Sequence, residues 1–180
     1  LTEDSHEALL QSCLHEGDFL LNLSVDVSSL ALIRFCWRRG ALYLDTCIEP
    51  WAGRYTDASA SLSQRSNYTL REEVLAFRRD KRAGPTAIVT QGANPGLASL
   101  FVKQALLNIA ADNGLHMEKP ARHRDWAALA HRLGIKTIHI AERDTQSADR
   151  RKQRDEFVNT WSVDGFASEA FQPAELGWGS

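Results

Sequence analysis

The chain has only three cysteines, Cys13, Cys36 and Cys47, odd in number, widely spaced and without a Cys-x-x-Cys pair. That excludes a disulfide framework, suggests no zinc knuckle, and fits a reducing cytoplasm. No apolar stretch approaches the roughly 20 residues a membrane helix needs, and the opening from Leu1 to Glu7 has neither the basic nor the apolar region of a secretion signal. No membrane partner is expected. An excess of one charge is also missing. Against 21 Lys and Arg stand 23 Asp and Glu, a formal net charge of -2, so no whole-chain field attracts nucleic acid.

Catalytic signatures are equally sparse. The six histidines form no His-Glu-x-x-His and no other metal-binding spacing, and there is no Gly-x-Ser-x-Gly elbow or Walker loop. No metal is expected. The Gly-x-Gly-x-x-Gly turn that brings a pyrophosphate to a helix N-terminus is absent as well. Either no dinucleotide binds, or the first half of its domain lies outside this sequence. The start on Leu1 and the close on Ala174 to Ser180 favour a piece of a longer protein.

What is present is ordinary in composition, 43% hydrophobic and 24% charged over 180 residues, enough for one sizeable core and an appended subdomain. The near-continuous apolar run Asp18 to Val25 suits a buried parallel strand, and a helical pattern follows from Ser28 to Arg39, closed by Gly40. Ala41 to Asp45 is a second strand. Together these make a right-handed βαβ unit. A loop through Gly53 and Asp57 precedes a predicted helix from Ser66 to Arg82, capped by Ser66 or Asn67, and Thr86 to Thr90 is a third strand.

Asn94-Pro95 then reads as N-cap and first position of a helix running to Ala111, apolar nearly all round and so expected to be buried on several sides. A helix from Asp125 to Leu133, a strand from Lys136 to Ala141 and a strand from Phe157 to Val163 complete the reading. The charged stretch Ala148 to Glu156 has no interleaved aromatic residue for base stacking and is read as a solvated loop. The fold class is α/β: part of a Rossmann-type doubly wound parallel sheet over residues 1–93, leading into an α+β substrate and dimerisation domain over 94–180.

Carboxylates and a tryptophan recur at the ends of the apolar runs. Glu49 lies in Ile48-Glu49-Pro50-Trp51, Glu142 follows Ile140-Ala141, and Trp161 and Glu169 lie in the last segment. If the runs are neighbouring strands, these groups converge where α/β folds bind ligands, in a pocket suited to a cation. For each residue there is a plainer alternative: surface acids at strand ends, a core tryptophan, or turn-forming polar residues.

Several blocks carry a resemblance. Asn22 to Leu30, Gly40 to Thr46, Glu49 to Trp51, Arg65 to Tyr68, Gly92 to Gly96 and Phe101 to Leu106 resemble the bacterial homospermidine synthase family. So do Ile138 to Gln146, Phe157 to Val163 and Gln172 to Gly179, all in the family's order. The resemblance implies a saccharopine-dehydrogenase-like Rossmann domain that binds NAD, interrupted by an α+β domain with the substrate pocket and dimer contacts. It further implies that two putrescines are joined to homospermidine with loss of ammonia, spermidine being a possible first amine, in a cytoplasmic homodimer.

Putrescine is a dication near neutral pH, since an alkylamine titrates near 10.4, yet oxidation requires a neutral amine at the reacting carbon. One acid must anchor the distal ammonium and another must take a proton. The resemblance places Glu142 at the reacting nitrogen. Glu49 and Glu169, with Ser168 beside the latter, fall to ammonium binding and proton handling. Trp161 would lay its ring against an iminium ion, a contact worth roughly 0.5 to 2 kcal/mol. Asn94 would hold the nicotinamide carboxamide or the substrate nitrogen, and Asn22, Ser24, Asp26, Thr46 and Pro95 are the other expected NAD contacts.

Two further classes compete with this one. A saccharopine-type amino-acid dehydrogenase calls for Arg or Lys at the strand ends to meet substrate carboxylates, and Arg143 alone fits that. A non-catalytic polyamine-binding module needs the same acids but no cofactor.

Overall fold

The computed structural model describes residues 1–80, 83–143, 145–158 and 162–171. Its contacts divide the chain into two units, Leu1–Thr90 with Thr145–Ser180, and Gln91–Asp144. The first break falls three residues before the expected one. The stretch from Thr145 groups with the first unit rather than with the second, contrary to the expected 94–180 span.

In the first unit three parallel strands, β1 (Phe19–Asn22), β2 (Leu42–Asp45) and β3 (Ala87–Ile88), lie in the order β1-β2-β3. Phe19 pairs with Leu42 and Asn22 with Asp45, so both strands end level. The crossover helix is α2 (Ser29–Arg39). Ser28 accepts the Ala31 N–H at 3.3 Å, and Gly40 ends the helix in the left-handed conformation at φ 78°. Leu32, Ile33, Phe35 and Cys36 on its inner face join Tyr43, Ala41 and Val27 in the core. Burying each large side chain there contributes about 1.5–3 kcal/mol.

A short helix not foreseen from the sequence, α1 (His6–Cys13), adds Leu10 to that core, and Leu14 just beyond it packs there too. Its signal was only one pair of leucines four apart. Helix α3 (Asn67–Asp80) starts after Ser66, whose hydroxyl accepts the Thr69 N–H at 3.2 Å. Ser66 is therefore the cap, and the Asn67 side chain is left for other partners. A single 3₁₀ turn, Arg54–Thr56, buries Tyr55 with Ile48 and Leu70 in a second small core.

The predicted strand from Phe157 to Val163 is not formed where it is described. Phe157 and Val158 have no regular structure, residues 159–161 lie outside the described residues, and Val163 opens helix α6 (Val163–Phe171). Ser162 decides this locally: its hydroxyl accepts the Gly165 N–H at 3.0 Å, its carbonyl accepts the Phe166 N–H, and Asp164 sits in the positively polarised first turn.

The second unit is built on α4 (Leu97–Asp112) and α5 (His123–Arg132), packed through Leu106, Ala110 and Leu129. Asn94 is not the N-cap of α4: the helix starts at Leu97 and the cap position falls to Gly96 at φ 122°. An added Cβ at Gly96 would lie 2.6 Å from the Gly92 carbonyl oxygen, so this close turn needs glycine. Nor is α4 buried on several sides. Leu106 and Ala110 are its only buried residues, while Leu97, Leu100 and Phe101 are exposed, since α5 covers one face only. Residues 136–141 form no strand, lacking a ladder partner among the described residues. No described helix is long and apolar enough to cross a membrane.

Candidate active site

The level ends of β1 and β2 place Asn22 and Asp45 side by side, both buried. Asn22 Nδ2 donates to the Tyr43 hydroxyl at 3.2 Å, and its Oδ1 accepts the Ser24 N–H at 3.1 Å as well as the Ser24 hydroxyl. The Asn22 side chain thus shapes the turn at the end of β1. Beyond it Ser24 is exposed, and Asp26 is half-buried in the left-handed conformation at φ 61°. Thr46, half-buried, follows β2 directly.

Two residues past Cys47 the chain reaches Glu49. Reciprocal bonds clamp it to the start of α2: the Glu49 N–H donates to the Ser29 hydroxyl at 3.0 Å, and the Ser29 N–H donates to the Glu49 carbonyl at 2.9 Å. The Glu49 side chain is consequently held inside the unit, 7% exposed, and its Oε2 has no hydrogen-bond partner. Burial first, and then the charge of Asp26, push its carboxyl up to about 7; the Asp26 backbone N–H and the Tyr55 hydroxyl oppose the shift. The Glu49 carboxyl is thereby shifted toward neutral pH, with one oxygen left without a partner inside the unit.

Glu169 comes to the same place from α6. Its Oε1 accepts from Asn67 Nδ2 at 3.0 Å, and Asn67 Oδ1 accepts the Tyr55 hydroxyl at 3.2 Å. Burial, followed by the charges of Glu49, Cys47, Glu169 and Asp26, raises the Tyr55 phenol well above its ordinary range. Cys47 is pushed up to about 12 by burial and by Glu49, Glu169 and Asp45, so it remains a thiol and no nucleophile. The sequence-predicted residues Glu49, Glu169 and Asp26 are therefore brought together. Ser168, half-buried, lies beside Glu169 on α6.

Glu142, Asn94 and Pro95 belong to the second unit, all exposed, the last two in the turn before α4. Trp161 lies outside the described residues, as does Trp178. Trp51 packs against the first core, with His6 5.1 Å away. Among the described residues no group of three or more His, Cys, Asp or Glu side chains can hold a metal ion. Asp45, Tyr55 and Asn67 were missed from the sequence. Asn67 was legible only as a cap, and Tyr55 sits in a loop without periodicity.

Comparison with known proteins decides the relationship. The saccharopine dehydrogenase NADP binding domain matches residues 1–88. Homospermidine synthase of Blastochloris viridis is 55% identical over 183 residues, covering 100% of this chain and 38% of the relative. The chain is a homologue of the homospermidine synthases. That of Mesorhizobium japonicum is 50% identical over 185 residues, again 100% of this chain and 38% of the relative. The crystal structure of the homospermidine synthase from Legionella pneumophila in complex with NAD superposes with a TM-score of 0.78 at 46% identity, covering 100% of this chain and 37% of that one. The α/β fold with its Rossmann-type parallel sheet is that of this group. The chain spans about 38% of the length of the curated homospermidine synthases it matches.

Proposed function

We propose that this chain supplies part of the cofactor and diamine site of a homospermidine synthase, which joins two putrescines to homospermidine with release of ammonia. The observation that carries the reading is the buried Glu49, with its unpartnered Oε2 and a carboxyl that burial pushes up to about 7, close to Asp26 and Glu169. Such a group accepts a proton from one end of a diamine, while the more exposed Glu169 stays available to the other ammonium. Neighbouring carboxylates also repel an anionic amino-acid substrate, which disfavours a saccharopine-type reaction.

The residues at the ends of β1 and β2 fit NAD. They lie at the carboxyl ends of parallel strands, where α/β sheets take nucleotides, and Ser24, Asp26 and Thr46 offer hydroxyl and carboxylate groups there. Asn94 and Pro95 are also proposed as NAD contacts. When bound, NAD supplies the redox chemistry of the cycle. Glu142 is assigned to the reacting nitrogen and Trp161 to shielding its cationic form. The same reading carries a cytoplasmic homodimer that takes spermidine as an alternative amine.

The test is to express the complete reading frame that encodes this chain and incubate it with putrescine and NAD. Homospermidine and ammonia should form in equal amounts without accumulation of NADH. A protein that binds putrescine yet forms no homospermidine in the presence of NAD would instead be a polyamine-binding module. NADH accumulating on an amino-acid substrate would mark a dehydrogenase.

A further inference from the structure

Glu49 and Glu169 are separated by 119 intervening residues, yet a short chain of polar groups joins their surroundings. Tyr55, buried in the 3₁₀ turn, carries a single hydroxyl proton with two acceptors within hydrogen-bond distance. They are the Asn67 Oδ1 at 3.2 Å and, at 3.5 Å, the carbonyl of Ile48, the residue before Glu49. Asn67 has its orientation fixed by chemistry. A carboxylate only accepts, so the amide nitrogen must face Glu169 and the amide oxygen must face Tyr55. α6 packs against the 3₁₀ turn itself, so the connection also ties the helix that carries Glu169 to the loop that follows Glu49.

We propose that Tyr55 and Asn67 are positioning residues, a hydrogen-bonded bridge that sets Glu169 against the Ile48–Glu49 segment so that both acids act on one bound diamine. The Tyr55 hydroxyl donates to the Asn67 amide oxygen and polarises the amide, which strengthens the bond from Nδ2 to Glu169, and the same hydroxyl lies against the carbonyl that precedes Glu49. The charged and titratable groups around Glu49 are Asp26 after β1, Asp45 and Cys47 at the end of β2, Tyr55 in the 3₁₀ turn and Glu169 on α6; Arg65 donates to the Tyr55 carbonyl at 3.0 Å.

This inference rests on the diamine reading above, and its test separates the two. Tyr55→Phe and Asn67→Leu, each close to isosteric, are compared with the unaltered protein in the complete reading frame, with putrescine as the probe. Expected are unchanged NAD binding, a fall in kcat/KM for putrescine of about tenfold or more, as for loss of one hydrogen bond to a charged group, and an acidic limb of the pH profile moved upward in Tyr55→Phe. Profiles of both variants that superimpose on the unaltered one overturn the bridge. If the unaltered protein makes no homospermidine, the functional reading fails on its own. The bridge is then read by NMR of 13C-labelled carboxyl groups in the complete protein: the Glu169 signal should move in Tyr55→Phe and in Asn67→Leu, and a Glu169 signal unmoved by both overturns it.

Discussion

The Tyr43 hydroxyl donates to Asp45 Oδ2 at 2.9 Å, inside a buried network that spans the ends of all three strands. Asn22 at the end of β1 donates to the same hydroxyl, and Asp45 Oδ1 accepts the Thr90 N–H at 2.6 Å just past β3. Thr90 is β-branched and sits at φ 58°, a conformation that costs roughly 1–2 kcal/mol, and the Asp45 carboxylate holds it there. Tyr43→Phe removes one oxygen and leaves both Asn22 and Asp45 short of a partner. It should lower stability by about 1–3 kcal/mol, measured by urea unfolding.

Burial raises the Glu49 carboxyl from 4.5 to about 7. Between these values the folded chain binds more protons than the unfolded chain, so stability falls as pH rises through this window. The full difference corresponds to about 3 kcal/mol. Asp45, also raised chiefly by burial, acts with the same sign. In Glu49→Gln the decline between pH 5 and 8 should shrink by most of that amount. A pH dependence identical to that of the unaltered chain would show that Glu49 titrates normally.

Burial also pushes the Cys36 thiol up to about 11, and Cys47, crowded by acids as well, to about 12, whereas Cys13 is exposed on α1. Iodoacetamide at pH 8 should therefore label Cys13 alone in the native chain and all three cysteines in denaturant. Peptide mass mapping reads the result.

Gly84 lies under Trp37, whose indole N–H donates to the Ala83 carbonyl at 3.1 Å and whose ring meets Phe77 edge-on at 6.1 Å. A Cβ at Gly84 would fall 2.2 Å from the indole nitrogen. Gly84→Ala should cost about 1–3 kcal/mol and shift the tryptophan emission as the ring is displaced. Unchanged emission and melting temperature would mean that the turn simply moves aside.

Much of the first unit was legible because its signals are local. The helix ending at Arg39 and the left-handed Gly40 that closes it stand where expected, whereas the run Asp18 to Val25, expected as a buried strand, is a strand only over Phe19–Asn22 and leaves Phe19, Leu21, Leu23 and Val25 exposed. The failures share a cause as well. Lys136 to Ala141 has a strand's composition, but a strand exists only through a partner, which periodicity does not supply. Phe157 to Val163 has strand-like apolar content, yet Ser162 starts a helix within it. In the site, Glu49 and Glu169 stood out as acids beside apolar runs. Tyr55 and Asn67 did not, since what gives them meaning is a contact made across a hundred residues.

Because Glu169 returns to the first unit from far along the chain, that unit is not a continuous stretch of gene. Excising residues 1–90 as a minimal nucleotide-binding module would discard α6 and strip Asn67 of its carboxylate, leaving the Tyr55 loop without its cover. A smaller version that keeps both acids has to splice the two stretches directly, replacing residues 91–144 with a linker.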